Sequence, residues 1–184
     1  MYAIELFFSE EVEDYIKRKW KELSLSNISS SYSEIEGIRP HVTLAVYKDL
    51  QNVVDLKHDF MEYFSDIGSM QELIFVDVGV FPTTGTVFLR PTVTRELIDF
   101  HFNYHRAFEK YSRYADYYYI PGIWNPHCGF ATNLNNDEMS RAISCIIQDF
   151  NPKKGLVTEI GLVHIIHDGS RFVSSKTILS RKLS

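Results

Sequence analysis

The sequence predicts an α+β fold in which one 184-residue domain consists of two similar halves, with approximate repeats over residues 1–84 and 85–184. Three observations predict it. Segments with the two-residue period of strands alternate with segments that carry a helical apolar stripe. The order of segments in the first half recurs in the second. Corresponding positions are also evenly separated, as for the helix-capping residues Ser9 and Thr94, which are 85 residues apart. We therefore expect the halves to be related by a pseudo-two-fold axis.

The first half starts and ends with strands. Its predicted segments are a strand over 2–8, a helix capped by Ser9, a polar loop over about 24–34, a strand over 39–48, a helix capped by Asn52 and a strand over 72–81. Pro40 suits the first position of its strand, because proline cannot donate to an interior ladder. The segment from Pro82 to Gly85 predicts a turn.

The second half repeats this order. Its predicted segments are a strand over 86–90, a helix capped by Thr94 that carries an apolar stripe as far as Tyr111, a Tyr-rich loop, a strand within 125–132, a helix capped by Asn136, and strands over about 156–167 and 170–179. Asp168-Gly169 predicts a tight hairpin between the last two strands.

Composition and charge exclude several classes of protein. The 24 acidic residues outnumber the 19 basic ones, which argues against a long basic groove for duplex DNA but permits a small anionic ligand. Cys128 and Cys145 are too few for a disulfide scaffold or a Cys-rich zinc site. The sequence has no apolar run of membrane-spanning length and no signal-peptide pattern at its start. We therefore expect a cytoplasmic protein that has no membrane contact.

Two Pro-His pairs occupy equivalent predicted strands. The segments Pro40–Ala45 and Pro126–Ala131 share Pro, His and Ala. Alternate side chains of a strand face opposite sides, so His41 and His127 each share a face with the small residue two positions later. The intervening apolar residues are expected in the core: Val42, Leu44, Val46, Cys128 and Phe130. If the halves pack about the pseudo-two-fold axis, both imidazoles meet across one cleft.

Such a pair of imidazoles suits phosphate chemistry. Because an ordinary histidine has a pKa of about 6.5, one ring can accept a proton while the other donates one. On opposite sides of a phosphate, one activates the attacking hydroxyl or water and the other protonates the leaving oxygen. Thr43 can donate a hydrogen bond to a phosphate oxygen. This chemistry requires no metal and no cofactor.

The sequence at this point resembles the two-histidine (2H) phosphoesterases, which include 2′-5′ RNA ligase-like proteins and cyclic phosphodiesterases. His41-Val-Thr-Leu is similar to their first His-x-Thr-hydrophobic motif. Element order and motif separation extend the resemblance over nearly the whole chain. It implies a bilobal α+β fold with antiparallel sheets around a central cleft and helices outside. It also implies an acid/base pair of His41 and His127, a phosphate contact by Thr43, and chemistry on 2′,3′-cyclic phosphates or 2′-5′ links.

The second motif departs from the family pattern. The family has Ser or Thr two residues after the second histidine, and this chain has Gly129 there. Its backbone N–H is then the group that could bind phosphate. Arg39 and Lys48 flank the first motif and could add positive charge, although solvated surface positions are the alternative. Tyr119 and Trp124 precede the second motif and could stack on a base or pack between the lobes.

The remaining histidines and the cysteine have simpler interpretations. His101 and His105 have the helical spacing of metal ligands, but Phe102 stands where a zinc protease has Glu, and His101 lies on the apolar stripe. We expect a structural role for it. Cys128 faces away from His127, which argues against a thiol nucleophile. Surface or turn positions are expected for the other three histidines: His58, His164 and His167.

Three hypotheses about function remain open at this stage. The first is a metal-independent 2H-type phosphoesterase that acts on a nucleotide or RNA end. The second is a non-catalytic module of the same fold that binds a nucleotide or RNA end, which Gly129 favours. The third is an unrelated α+β protein whose two imidazoles do not converge. The acidic net charge favours small or end-bound ligands, and the sequence predicts no particular oligomeric state.

Overall fold

The computed structural model describes residues 1–65, 67, 72–168 and 171–183. This part of the chain contains seven strands: β1 (Tyr2–Phe8), β2 (His41–Tyr47), β3 (Glu72–Phe81), β4 (Thr86–Pro91), β5 (Cys128–Ala131), β6 (Lys153–Asp168) and β7 (Arg171–Lys182). It also contains four α-helices: α1 (Glu10–Leu25), α2 (Val53–Tyr63), α3 (Arg95–Ala107) and α4 (Asn136–Ile147). Two 3₁₀ segments, Glu109–Tyr114 and Tyr117–Tyr119, follow α3.

One long strand organises the sheets. All strand pairs are antiparallel, in the order β2-β1-β6-β3-β4-β5, and β7 also pairs with β6. Residues Lys153–Leu156 of β6 pair with β3, whereas Val157–His164 pair with β1. The same strand therefore belongs to two sheets, one with β1, β2 and β7 and the other with β3, β4 and β5.

Each sheet combines strands from both halves of the sequence. In the first sheet, β1 and β2 pair with β6 and β7. In the second sheet, β3 precedes residue 84 but pairs with β4 and β6. The α+β class with antiparallel sheets and helices is confirmed. The boundary between the proposed repeats, after residue 84, stays a prediction about the sequence, because each sheet contains strands from both halves.

The helices begin close to where the sequence predicts, with one correction. The side chains of Asn52 and Thr94 accept hydrogen bonds from Val54 N (2.9 Å) and Leu97 N (3.2 Å) and cap α2 and α3. Ser9 precedes α1 without a capping hydrogen bond from its side chain. The predicted cap of α4 was wrong, because the cap is Asn135 and not Asn136.

The reason for this correction is a reciprocal capping box. Asn135 Oδ1 accepts from Glu138 N at 3.0 Å, and Glu138 Oε2 accepts from Asn135 N at 2.9 Å. Only Asn135 has a glutamate three residues later, as this motif requires. α3 is shorter than predicted: it ends at Ala107, so Tyr111 lies in the following 3₁₀ segment. The tight turn at Asp168-Gly169 stays a prediction, because Gly169 lies outside the described residues.

The core contains the apolar stripes that the sequence predicts for the helices. The buried stripe residues of α1 and α2, with the residue after α2, are Val12, Ile16, Trp20, Leu23, Leu56, Phe60 and Phe64. They pack against the buried faces of the strands in one continuous cluster. Within the described residues, no helix is long and apolar enough to cross a membrane.

Candidate active site

The two motif strands lie at opposite ends of the strand order, yet the structure brings them together. Cα atoms of β2 and β5 approach within 8 Å, and the Cys128 side chain contacts the backbone of His41. The side chains predicted for the core are all buried: Val42, Leu44, Val46, Cys128 and Phe130. The first two alternate residues of each motif are only partly buried: His41, Thr43, His127 and Gly129.

Both candidate imidazoles are held in the same way. Nδ1 of His41 lies 2.6 Å from the carbonyl oxygen of Arg39, and Nδ1 of His127 lies 2.8 Å from that of Asn125. Because a carbonyl oxygen only accepts, each Nδ1 carries a hydrogen and donates it. Each ring thus uses one nitrogen to bind the backbone two residues earlier and directs the other nitrogen elsewhere. Nε2 is then the atom that can exchange a proton with a ligand.

His127 lies in apolar surroundings. The rings of Phe81 and Phe88 pack against it at centroid distances of 4.9 and 5.2 Å. Burial lowers the pKa of His127, the Asn125 carbonyl opposes this, and the charge of His41 lowers the pKa further. Neutral His127, the form that accepts a proton, is therefore favoured near neutral pH. The charge of His41 thus acts on His127, and the two motif strands that carry these residues contact each other.

A buried carboxylate lies beside the other imidazole. Glu5 is 1% exposed, and its Oε2 atom lies 3.5 Å from Nδ1 of His41. That oxygen has no hydrogen-bond partner in the described part of the chain. Burial raises the pKa of Glu5, and the charges of His41 and Arg39 lower it. Glu5 could not be singled out from the sequence, because an acidic residue within a short strand carries no local signal of burial.

Thr43 and Gly129 occupy equivalent positions, each two residues after a motif histidine. The Thr43 carbonyl accepts a hydrogen bond from Nε1 of Trp124 at 2.8 Å. The Gly129 carbonyl accepts one from Nε1 of Trp20 at 2.9 Å. Each motif strand is thus supported by an indole at the same position. A phosphate contact by either residue stays a prediction.

The two flanking cations are engaged in ion pairs. The guanidinium of Arg39 donates to Glu13 at 2.7 Å and to Glu159 at 2.8 Å, and it lies 4.0 Å from the ring centroid of Phe7. The Lys48 ammonium pairs with Asp116. A phosphate contact by either residue stays a prediction. Arg39 also contacts the site through its backbone carbonyl, which accepts the hydrogen bond from Nδ1 of His41.

The two aromatic candidates line the same region through different contacts. Burial raises the pKa of the Tyr119 phenol to about 12, and the charges of Asp116 and Glu5 add to the rise. The ring of Trp124 stacks on His101 at 3.9 Å with an interplanar angle of 2°. One face of Trp124 is therefore covered by the protein. Base stacking by either residue stays a prediction.

The structural interpretation of His101 is confirmed. Its Nε2 lies 2.9 Å from the Tyr119 carbonyl and 3.1 Å from the Leu44 carbonyl, and burial lowers its pKa to about 4. The exclusion of Cys128 as a nucleophile also agrees with the structure, since the thiol is buried and burial raises its pKa to about 12. His58 is exposed beside Asp59 and Glu62, away from the two motif strands.

A second residue of the site, besides Glu5, could not be found from the sequence. Tyr32 belongs to the polar loop between α1 and β2, and its hydroxyl reaches the space above Gly129. Nothing in the local sequence marks this tyrosine, because the contact joins residues almost a hundred positions apart. The only sequence signal that points to it is the missing side chain at Gly129.

A family comparison decides the classification of this fold and site. The family model described as the 2′-5′ RNA ligase superfamily matches residues 11–169, a range that contains both histidine motifs. The chain belongs to this superfamily. The resemblance to the two-histidine phosphoesterases is confirmed, and the hypothesis of an unrelated α+β protein is wrong. A search of curated proteins finds no sequence match.

Solved structures share the fold of this member of the 2′-5′ RNA ligase superfamily. LigT of E. coli in its apo form has a TM-score of 0.64 and 15% identity, with coverage of 100% of this chain and 96% of LigT. LigT complexed with 3′-AMP has a TM-score of 0.64 and 14% identity, with coverage of 100% and 97%. TT0787 of Thermus thermophilus has a TM-score of 0.63 and 12% identity, with coverage of 99% and 97%. These similarities show that the chain shares this α+β fold over its full length.

Proposed function

We propose that this superfamily member is a metal-independent phosphoesterase that hydrolyses 2′,3′-cyclic phosphates or 2′-5′ phosphodiester links of small nucleotides or RNA ends. The observation that carries the proposal is the matched pair of His41 and His127, each with Nδ1 bound to a carbonyl and Nε2 left for a ligand. LigT has been crystallised with 3′-AMP and with phosphate, which supports a phosphate ligand in the same fold.

The reaction requires one base and one acid. One imidazole accepts a proton from water at Nε2, the water oxygen forms a bond to phosphorus, and the bond from phosphorus to the leaving ribose oxygen breaks. The other imidazole, charged at the start, donates its Nε2 proton to that oxygen. The lowered pKa of His127 suits a base. We assign no fixed order of roles, because the two rings can exchange them.

The substrate class follows from charge and size. Thr43 on the cleft side would donate to a phosphate oxygen, and the Gly129 N–H is the corresponding group on β5. The net charge of −5 opposes a long polyanion over the whole surface. A small nucleotide or the end of an RNA strand, which presents one phosphate group to the cleft, is more compatible with this negative net charge.

The alternative function is a binding module that holds the same ligands without turnover. One observation favours it, namely that Gly129 removes the hydroxyl that should support the second histidine. Under this alternative, His41 and His127 hold the phosphate as hydrogen-bond donors. A His→Ala change at either position then weakens binding without removing a reaction.

The deciding experiment measures turnover of nucleoside 2′,3′-cyclic phosphates and 2′-5′ dinucleotides in the presence of EDTA. We expect wild type to turn over at least one of them. His41→Ala and His127→Ala should each lower kcat by about 10²- to 10⁴-fold, because each removes a proton-transfer group.

The matched control is His58→Ala, which removes an exposed histidine away from the cleft. Its activity should equal that of wild type. Turnover that EDTA abolishes would contradict the metal-independent mechanism. Absence of turnover on the whole panel, together with nucleotide binding that His127→Ala weakens, would favour the binding module.

A further inference from the structure

The space beside Gly129 is filled by a hydroxyl from another part of the chain. A Cβ atom at residue 129 would lie 2.0 Å from the Tyr32 hydroxyl oxygen and 2.4 Å from its Cζ. A side chain at this position would point to the same face of β5 as His127, two residues earlier. The phenol oxygen of Tyr32 therefore lies where the side chain of the second motif would begin.

Tyr32 is held in this position by contacts with α1 and β5. Its ring stacks on Trp20 at 5.2 Å with an interplanar angle of 8°. Trp20 in turn donates its indole hydrogen to the Gly129 carbonyl at 2.9 Å. The neighbouring Ser31 accepts a hydrogen bond at its Oγ from Thr132 N at 3.1 Å. Both the ring and the loop that carries it are thus fixed to the strand of the second motif.

The surroundings keep the Tyr32 phenol protonated. Burial raises its pKa, and negative charge at Cys128, Tyr119 or Glu5 would raise it further. Glu5 also lies beside His41, so these neighbours connect Tyr32 with both motifs. A protonated phenol has a hydrogen to donate throughout the neutral range.

On these observations, and on the basis of the proposed function, we propose that Tyr32 donates a hydrogen bond from its hydroxyl to the substrate phosphate in place of the missing side chain at Gly129. Thr43 is the equivalent donor in the first motif, two residues after His41. Each histidine then has one hydroxyl donor beside it in the cleft. Thr43 belongs to the first motif, whereas Tyr32 belongs to neither motif. The second donor comes from the loop before β2 and acts across the cleft side of β5.

The test compares wild type with Tyr32→Phe, which keeps the ring and its stacking on Trp20. We measure kcat/KM with 2′,3′-cyclic AMP and the Kd of inorganic phosphate from the NMR shifts of the histidine Cε1 protons. Tyr32→Phe should lower kcat/KM by about 10- to 100-fold and weaken phosphate binding by at least about tenfold, because a hydrogen bond to a charged group is lost. Tyr118→Phe, at an exposed tyrosine, should change neither value.

A second pair of variants moves the hydroxyl to its usual place. Gly129→Ser alone should lower activity, because its Cβ would displace Tyr32. Tyr32→Ala removes the donor and should lower kcat/KM. The double variant Tyr32→Ala/Gly129→Ser should have a kcat/KM at least about tenfold higher than that of Tyr32→Ala, as expected for coupled neighbours. No recovery in a double variant that unfolds at the same urea concentration as Tyr32→Ala would count against the proposal.

The two proposals fail in different ways. Wild-type turnover that is unchanged in Tyr32→Phe, with unchanged phosphate affinity, overturns the role of Tyr32 and leaves the phosphoesterase intact. If wild type lacks turnover, the phosphoesterase proposal fails, and the role of Tyr32 is decided by phosphate affinity alone. Equal affinity in wild type and Tyr32→Phe, or no phosphate binding by wild type, overturns it.

Discussion

At the scale of single residues, the site consists of pairs of groups with matching backbone contacts and different surroundings. His41 and His127 donate from Nδ1 to carbonyls at the same offset. One ring lies beside the buried Glu5 carboxylate, and the other lies against Phe81 and Phe88. Identical attachment fixes the direction of both rings, whereas the apolar surroundings of His127 favour its neutral form.

The Glu5 carboxylate should destabilise the fold at neutral pH. Its folded-state pKa is raised from 4.5, with burial as the largest cause, so the folded state binds the proton more tightly than the unfolded state does. The free energy of unfolding therefore falls as pH rises from about 4.5 through the folded pKa. We expect Glu5→Gln to raise the free energy of unfolding at pH 7 by about 1–3 kcal/mol, with little gain at pH 4.

Urea unfolding of wild type and Glu5→Gln at pH 4 and pH 7 checks this prediction. Glu10→Gln, at an exposed residue of α1, is the matched control and should change stability little at either pH. A lower stability of Glu5→Gln at pH 7 would mean that attraction between Glu5 and His41 outweighs the burial of the carboxylate.

Sequence could predict the residues of the site that lie on the motif strands. The two-residue period placed His41 and His127 on one side and residues such as Val42 in the core. It could not find Tyr32 or Glu5. Both reach the site through contacts with distant parts of the chain, and a local pattern holds no information about which loop or strand will be the neighbour.

At the scale of elements, α2, α3 and α4 each begin where a side chain satisfies a free backbone N–H group. The start of α4 shows that the capping residue is determined to a single position. Two adjacent asparagines, Asn135 and Asn136, offer the same side chain, and the position of Glu138 selects the first of them. The local sequence therefore identifies Asn135 as the cap, because Glu138 supplies the second half of the capping box.

The capping box predicts unequal effects of the same substitution at the two asparagines. Asn135→Ala should lower the free energy of unfolding by about 1 kcal/mol, because it removes the acceptor for Glu138 N. Asn136→Ala should have little effect, since alanine is favourable inside a helix. Thermal or urea unfolding of both variants is the measurement. Equal losses, or a larger loss for Asn136→Ala, would place the cap at the residue first predicted.

At the scale of the whole molecule, the cleft depends on contacts that join separate elements. Arg39 precedes β2 and connects it to Glu13 on α1 and Glu159 on β6. Its carbonyl also positions His41. The residue that flanks the first motif therefore links the candidate catalytic strand to the helix layer and to the strand that both sheets share.

Arg39→Gln distinguishes this linking role from a phosphate contact. We expect a loss of about 1–3 kcal/mol in the free energy of unfolding, because two partly buried carboxylates each lose one hydrogen-bonded ion-pair partner. The value of kcat/KM should fall less than about tenfold, since the backbone carbonyl that binds His41 remains. Urea unfolding and steady-state kinetics give the two quantities.

Arg90→Gln is the matched control, because Arg90 forms a more exposed ion pair with Asp77 at 2.8 Å and should contribute at most about 1 kcal/mol. A loss of 100-fold or more in kcat/KM for Arg39→Gln without destabilisation would instead support the phosphate contact that the sequence suggested.

The element order of the fold could be predicted, but the pairing of its strands could not. Apolar residues identify segments such as β1 and β3 as strands, and capping residues mark the helices. They do not say that β6 pairs with both of these strands, because pairing partners are chosen by contacts between distant segments. The interleaving of the two sequence halves therefore had to come from the structure.

The position of β6 has a consequence for the growing chain. Synthesis proceeds at about 5–20 residues per second, and β1 through β5 are complete before Lys153, the first residue of β6, is added. Until then β1 has only β2 beside it and β3 has only β4, so one edge of each is open to strands of other molecules. The nascent protein is most exposed to aggregation just before residues 153–182 arrive, and a chaperone that shields those two edges would act in this interval.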